Sequence, residues 1–149
     1  MAGWDEFQAA APAVAAAGRQ LIFRGPAGEA LLATVRGTDP PRIHPVNVEI
    51  VGGELYVFVL PSAKLADLER DGRYALHAHV DPAAPSEFML RGRAHEVLDA
   101  EVRASVAAAW SFTADETFRL FRLDIEAALL GERSDADDWP PRYARWTEV

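Results

Sequence analysis

Two apolar runs separated by a pair of glycines constrain the fold of this chain most strongly. Residues 43–51 and 54–60 are rich in β-branched and aromatic side chains, and Gly52-Gly53 stands between them. A two-glycine link between such runs is typical of a β-hairpin, because the tight turn needs positive φ angles that glycine adopts at low cost. The two runs are therefore predicted to pair as antiparallel strands.

The remaining periodic segments predict a mostly β chain with flanking helices. Further strands are expected at residues 30–36, 73–80, 88–98 and 118–125 (or to 130), and helices at 4–17, 62–71 and 99–110. Gly18 is expected to end the N-terminal helix, which lies in residues 1–18, and residues 131–149 are expected to form a loop and a C-terminal tail. Six antiparallel strands favour a closed or split β-barrel over a flat sheet, which would leave two exposed edges. Residues 1–149 are expected to form this single domain.

Composition excludes several classes of function. A net charge of −8 argues against nucleic acid and anionic membranes as main partners, since both require a basic face. The absence of cysteine excludes disulfides, thiol catalysis and thiolate metal sites. The sequence shows no leader-like N-terminal segment and no apolar run of membrane-spanning length, so a cytoplasmic location is expected.

The segment Ser62-Ala63-Lys64 carries the clearest chemical signal. It follows the apolar run 55–60 and opens an evident helix, and Lys64 is the only lysine in the protein. Ser62 is a favourable N-cap residue. A strand that leads into a helix whose first turn offers a hydroxyl, an ammonium and free backbone N–H groups is suited to bind an anion, such as a phosphate.

The order of these features resembles the pyridoxamine-5′-phosphate oxidase-like family, the flavin-binding split β-barrels. The resemblance covers roughly residues 20–130, and its most specific element is Ser-x-Lys followed by a short helix, because in the family that turn grips the cofactor phosphate. It is carried by the strand 31–36, His44-Pro45-Val46, the Gly52-Gly53 hairpin, the segment 62–73, and the strands 91–94 and 118–123. The resemblance implies a homodimeric, six-stranded antiparallel split β-barrel, with FMN or the deazaflavin coenzyme F-420 bound at the subunit interface.

The resemblance also implies a set of cofactor-binding residues. Ser62 and Lys64 would hold the phosphate. The backbone around His44, Pro45 and Val46 would lie along the flavin ring. Val57, Phe58 and Val59, on the return strand, would line the same groove. A neutral planar ring is suited to an apolar groove, and its charged tail to a helix N-terminus.

Two departures from the family pattern keep alternatives open. Phe58 stands where flavin-binding members often carry threonine or serine, and Ala63 where many carry a basic residue. The leading hypothesis is an FMN-dependent oxidoreductase that acts on an unidentified small molecule. The alternatives are a deazaflavin-dependent reductase and a non-catalytic protein that binds a cofactor or none. No catalytic residue is assigned, because flavin hydride transfer requires no protein acid or base.

The histidines give only a weak metal signal. His77 and His79 lie two apart on a predicted strand and therefore share one face, where His44, Asp81 or His95 would have to complete a site. No spacing specifies that third ligand, so no metal site is predicted. Haem is disfavoured as well, since no axial-ligand motif is evident.

Overall fold

The computed structural model describes all 149 residues, which form four helices and seven strands. The helices are α1 (Trp4–Ala10), α2 (Pro12–Ile22), α3 (Ala63–Arg70) and α4 (Ala100–Ala109). The strands are β1 (Gly28–Thr34), β2 (Arg42–Val51), β3 (Glu54–Val59), β4 (Arg73–Ala78), β5 (Glu87–Glu96), β6 (Arg119–Glu132) and β7 (Arg142–Thr147).

The strands form a closed antiparallel barrel with one additional strand. They are hydrogen-bonded in the order β3-β2-β1-β4-β5-β6-β7, and β3 also pairs with β6, which closes the first six into a barrel. In the predicted hairpin, Val51 of β2 pairs with Glu54 of β3, and both turn glycines have positive φ angles. The prediction of a mostly β, six-stranded barrel is therefore confirmed.

One core fills the barrel and extends beneath the N-terminal helices. Alternate side chains of the strands point inward, as the twofold period of a strand requires, and Leu32, Leu90 and Leu123 are fully buried. Trp4 and Phe7 of α1 are also fully buried and join the same cluster. The N-terminal helices therefore contribute directly to the hydrophobic core.

A second, smaller apolar cluster lies outside the barrel, where α4 packs against β3 and β6. Asp99 begins the helix by accepting hydrogen bonds from the backbone N–H groups of Glu101 and Val102. The buried members of the cluster are Tyr56, Phe58, Val106, Trp110 and Leu120. The α4–β6 connection is thereby held against the outer face of β3.

The single N-terminal helix expected at residues 4–17 is in fact two helices. The break falls at Ala11, because Pro12 has no N–H to continue the helix and instead occupies the first turn of α2. Gly18 does not end a helix, since α2 continues to Ile22. It provides space instead, because a Cβ at Gly18 would overlap the ring of Phe88.

The segment expected to be a loop and tail contributes to the sheet. β6 continues to Glu132, and β7 pairs with its second half, from Ala127↔Thr147 to Glu132↔Arg142. The expectation of a tail was wrong because only Ala144 and Trp146 of β7 pack against the core, which leaves a weak apolar pattern.

No helix is both long and apolar enough to cross a bilayer. A cytoplasmic location stays a prediction.

Candidate functional site

A groove on the barrel surface brings together half of the residues expected to bind a cofactor. It has a volume of about 160 Å³ and lies between β2, the end of β3, the start of α3 and the α4–β6 connection. Its lining residues are Pro45, Val46, Asn47, Phe58, Leu60, Lys64, Phe112 and Phe118. Lys64 is the only ionisable residue among them, so the groove is apolar with one positive charge.

The first turn of α3 presents hydrogen-bond donors beside this charge. The Ser62 hydroxyl accepts a hydrogen bond from the backbone N–H of Leu65 at 3.3 Å and donates to the carbonyl of Leu60 at 2.8 Å. The backbone N–H groups of Ala63 and Lys64 donate to no acceptor in the structure. These two amides, the helix dipole and the Lys64 ammonium all favour an anion at this point.

A buried carboxylate fixes α3 against the barrel. Asp67, one turn after Lys64, accepts hydrogen bonds from the Thr34 hydroxyl at 2.9 Å and from Nε of Arg42 at 3.1 Å. Nε of Arg36 lies 3.9 Å from the same carboxylate. β1, β2 and α3 are thus joined at one end of the barrel, which sets the position of Lys64 relative to the groove.

His44 lies at the edge of this arrangement rather than in the groove lining. It is half-buried on β2, next to Pro45, and its Nε2 atom is buried without a hydrogen-bond partner. Burial lowers the pKa of His44, and the positive charges of Lys64 and Arg42 lower it further, while Asp67 opposes them. A neutral imidazole is therefore favoured beside the Lys64 ammonium.

Aromatic rings form another part of the groove lining. The Phe118 ring centroid lies 6.3 Å from that of Phe58 and 5.5 Å from that of Phe112. The Arg103 guanidinium packs 5.1 Å from the Phe58 ring centroid and donates hydrogen bonds to the carbonyls of Phe118 and Asp115 at 2.9 and 2.7 Å. This arginine joins the α4–β6 connection to α4 and so holds the aromatic rings in place.

The predicted binding residues separate into two groups. Pro45, Val46, Phe58 and Lys64 line the groove, whereas the side chains of Val57 and Val59, like His44 and Ser62, do not. Val57 and Val59 are fully buried in the barrel core, because neighbours of Phe58 on a strand point to the opposite face.

Sequence reasoning missed the other half of the lining, namely Asn47, Leu60, Phe112 and Phe118. Asn47 and Leu60 directly follow predicted residues, so their proximity could have been inferred from the chain. Nothing local in the sequence indicates that the connection after α4 returns to the start of α3. That contact depends on the packing of α4 against the outside of β3.

The lining of the groove is chemically suited to a flavin, but its volume of about 160 Å³ is below the range of typical small-molecule sites, so a bound flavin would extend beyond it. A flavin nucleotide combines an apolar planar ring with an anionic tail, and the groove combines aromatic and aliphatic walls with one ammonium and two free amides.

The histidines and carboxylates do not cluster in the structure. No three His, Asp or Glu side chains come close enough together to hold a metal ion, and His77 instead directs Nδ1 to the carbonyl of Ala78 at 2.6 Å.

Several solved structures are similar to this chain at low sequence identity. A heme binding protein from Mycobacterium smegmatis is 20% identical, with a TM-score of 0.63 over 89% of this chain and 57% of its own. A protein related to general stress protein 26, of the pyridoxinephosphate oxidase family, from Clostridium acetobutylicum is 13% identical, with a TM-score of 0.65 over 89% and 92%. A NimC/NimA family protein from the same organism is 17% identical, with a TM-score of 0.63 over 86% and 90%.

No protein-family model and no curated protein matches the sequence. The structural similarity confirms that the chain has the split-barrel fold expected from its resemblance to pyridoxamine-5′-phosphate oxidase-like proteins. At these identities the similarity concerns the fold.

Proposed function

We propose that the protein is a flavin-binding oxidoreductase, with FMN as its cofactor and a small molecule as its substrate. The observation that carries this proposal is the groove in which Lys64 faces Pro45, Val46 and Phe58. These four residues come from three different elements, β2, β3 and α3. Their convergence on one apolar groove with a single positive charge matches the two parts of a flavin nucleotide.

The phosphate would bind at the start of α3. Lys64 would supply a charge-assisted hydrogen bond, and the amides of Ala63 and Lys64 would supply two neutral ones. Ser62 would act mainly by capping the helix and keeping those amides directed outward, because its hydroxyl already bonds to Leu65 and Leu60.

The ring would lie along β2. Pro45 offers an apolar surface without an N–H group, and Val46 and Phe58 would contact the ring from the side. Phe112, which is 39% exposed, would cover its outer edge. When bound, a flavin supplies hydride or single-electron transfer, and the chain's role would be to bind it, orient it and exclude water.

Two other cofactors are candidates for the groove, each because of one observation. Phe58 and Ala63 stand where flavin-binding members often have side chains that make polar contacts. The absence of those contacts favours the deazaflavin coenzyme F-420 or a protein without cofactor. The Mycobacterium smegmatis neighbour, a heme binding protein, makes haem a third candidate. A haem would need an axial ligand, and no histidine lines the groove.

A homodimer is part of the proposal. Ile43, Ala33 and Ala75 form a cross-strand row on the outer face of β2, β1 and β4, beside a second row that contains Pro45 and Leu31. Ile43 is 68% exposed, which is unusual for such a large apolar side chain. Burial of this patch against a second copy would also place the copy next to the groove, because Pro45 belongs to both.

A ligand titration tests the function. The purified protein is mixed in turn with FMN, coenzyme F-420 and haemin, and binding is followed by calorimetry and by the absorption spectrum. Tight binding of FMN, followed by reduction of the bound flavin by NADH or NADPH, is the expected result. If only F-420 binds, the cofactor is the deazaflavin and not FMN. If only haemin binds, the protein is a haem protein, and if nothing binds, it is a split barrel without a cofactor.

A further inference from the structure

A second depression lies away from the groove, on the outer face of β5, β6 and β7. Its volume is about 310 Å³, which reaches the lower end of the range of small-molecule sites. It is lined by Met89, Arg91, Ala127, Ala128, Leu129, Arg145, Trp146 and Thr147. We refer to it as the β7 slot. None of these residues lines the flavin groove.

Strand register explains the shape of the slot. Leu129 on β6 lies between Met89 on β5 and Arg145 on β7, while Ala127 lies between Arg91 and Thr147. The small Ala127 side chain leaves a depression between larger neighbours. Because adjacent strands are about 4.8 Å apart, the two arginine-bearing strands stand roughly 10 Å apart on either side of an apolar floor.

The charges of the slot are uncompensated. Arg91 and Arg145 are its only ionisable lining residues, and neither guanidinium forms an ion pair within 4.0 Å or donates a hydrogen bond. Most other arginines of the protein are engaged, for example Arg122 with Asp124 and Arg119 with Glu96. Two unpaired guanidiniums on one apolar depression are unexpected in a chain with a net charge of −8.

The backbone of β6 opposite Arg91 is irregular, and this shapes the slot. The register between β5 and β6 shifts between Arg91 and Gly92, and a Cβ at Gly92 would overlap the carbonyl oxygen of Asp124. The residue without a partner is Glu126 on β6, and an extra residue of this kind bends its strand and changes the direction of the side chains beside it, here next to Ala127. Two acids of β6 lie near this point: Glu126 is exposed beside Ala127 and forms no ion pair with Arg91 or Arg145, and the Asp124 carboxylate is already bonded by Arg122 and lies 3.3 Å from His95.

We propose that the β7 slot is a binding site for a small organic anion with a flat apolar body, such as an aromatic carboxylate. The apolar floor formed by Ala127, Leu129 and Met89 would take the body of the ligand. The guanidiniums of Arg91 and Arg145 would both bind its carboxylate from the two sides of the floor, each through charge-assisted hydrogen bonds. This site is independent of the flavin groove and does not require a cofactor.

The test uses 1-naphthoate as the probe and the uncharged 1-naphthamide as its isostere. Calorimetry is expected to show saturable binding of naphthoate to the intact protein and at least tenfold weaker binding of naphthamide. Arg91→Gln and Arg145→Gln should each weaken naphthoate binding by about tenfold, as expected for loss of a charge-assisted hydrogen bond.

Matched controls separate this site from general electrostatics and from the flavin groove. Arg24→Gln removes another exposed arginine that has no ion pair, and Lys64→Ala removes the charge of the groove; neither should change naphthoate affinity. Ala127→Leu fills the floor without altering charge and should abolish binding while the melting temperature is retained. Equal binding of naphthamide, an equal loss in Arg24→Gln or Lys64→Ala, or no binding by the parent would each overturn the proposal.

Discussion

The Thr34 hydroxyl donates a hydrogen bond to the Asp67 carboxylate at 2.9 Å, and both side chains are almost completely buried, at 1% and 3% exposure. The bond joins β1 to the middle of α3, three residues after Lys64. Arg42 on β2 donates to the same carboxylate at 3.1 Å. Two strands of the barrel thereby determine where the first turn of α3 presents its ammonium and its free amides.

Asp67→Ala should destabilise the protein by about 2–3 kcal/mol, because it leaves the Thr34 hydroxyl buried without an acceptor and Arg42 without its partner. For a chain of this length the melting temperature should fall by roughly 5–10 °C. Asp67→Asn retains an acceptor for Thr34 and should lose less. Asp39→Ala is the control. Asp39 is 61% exposed, and its ion pair with Arg36 is long, at 3.7 Å, so its loss should change the free energy of unfolding by under about 0.5 kcal/mol.

Lys64→Ala should weaken cofactor binding without unfolding the protein. Loss of a charge-assisted contact to a phosphate is worth about 1.5–3 kcal/mol, which corresponds to a ten- to hundredfold higher Kd for FMN or F-420. The empty protein should be unchanged or slightly more stable, because a cation near a helix N-terminus is unfavourable. Calorimetry and a melting curve measure the two effects.

Arg70→Ala provides the matched control for Lys64, since it removes a positive charge from the last turn of the same helix, outside the groove. Its cofactor affinity should equal that of the parent. If Lys64→Ala binds as tightly as the parent, the phosphate does not bind at the start of α3.

The sequence was sufficient to predict the barrel, because its signals are local and agree with one another. The Gly52-Gly53 turn, the alternating strands and the Ser62 N-cap each specify their own segment, and all are present in the structure. The prediction failed where one residue has two possible roles. Gly18 suits a helix end as well as a close contact, and only the position of Phe88 decides between them.

The groove could be predicted only in part for a similar reason. Lys64 and Pro45 belong to motifs, so their sequence context indicates a role. Phe112 and Phe118 reach the groove because α4 packs on the outside of β3 and Arg103 holds the following connection. Such a tertiary contact leaves no pattern in the residues around it.

Gly18→Ala should destabilise the protein, although the same change in an ordinary helix interior stabilises it by about 1 kcal/mol. The added Cβ would overlap the buried Phe88 ring, and overpacking of this kind costs about 1–3 kcal/mol. Thermal or urea unfolding gives the difference. Phe88→Leu in the Gly18→Ala background should recover part of the loss, and Gly25→Ala, where a Cβ meets nothing within 4 Å, should be close to neutral.

Ile43→Glu should disrupt the proposed homodimer. A carboxylate at the end of the apolar row that Ile43 forms with Ala33 and Ala75 would have to be buried without a partner in the interface. Light scattering at micromolar concentration is expected to give about twice the chain mass of 16.3 kDa for the parent and a value near 16.3 kDa for the variant. Leu98→Glu changes a residue that is 83% exposed elsewhere and should remain dimeric. A monomeric parent would contradict the proposed interface.

Glu54→Gln should stabilise the protein in a pH-dependent manner. The Oε2 atom of Glu54 is buried without a hydrogen-bond partner. Burial raises the pKa of this carboxyl above its ordinary value; Arg122 opposes the rise, and Asp124, Glu6 and Asp5 add to it. The folded protein therefore holds the Glu54 proton more tightly than the unfolded chain does. This contribution is present below the unfolded pKa, near pH 4.5, and is lost as pH rises through the folded value.

The amide introduced by Glu54→Gln carries no charge to desolvate, so the variant should gain about 0.5–1 kcal/mol at pH 7, or roughly 1–4 °C in melting temperature. The gain should shrink towards zero below pH 4.5, where the parent's carboxyl is protonated in both states. Glu29→Gln, at an exposed carboxylate without an ion pair, should show no such dependence. A gain of equal size at pH 4 and pH 7 would mean that packing, rather than the buried charge, sets the stability at this position.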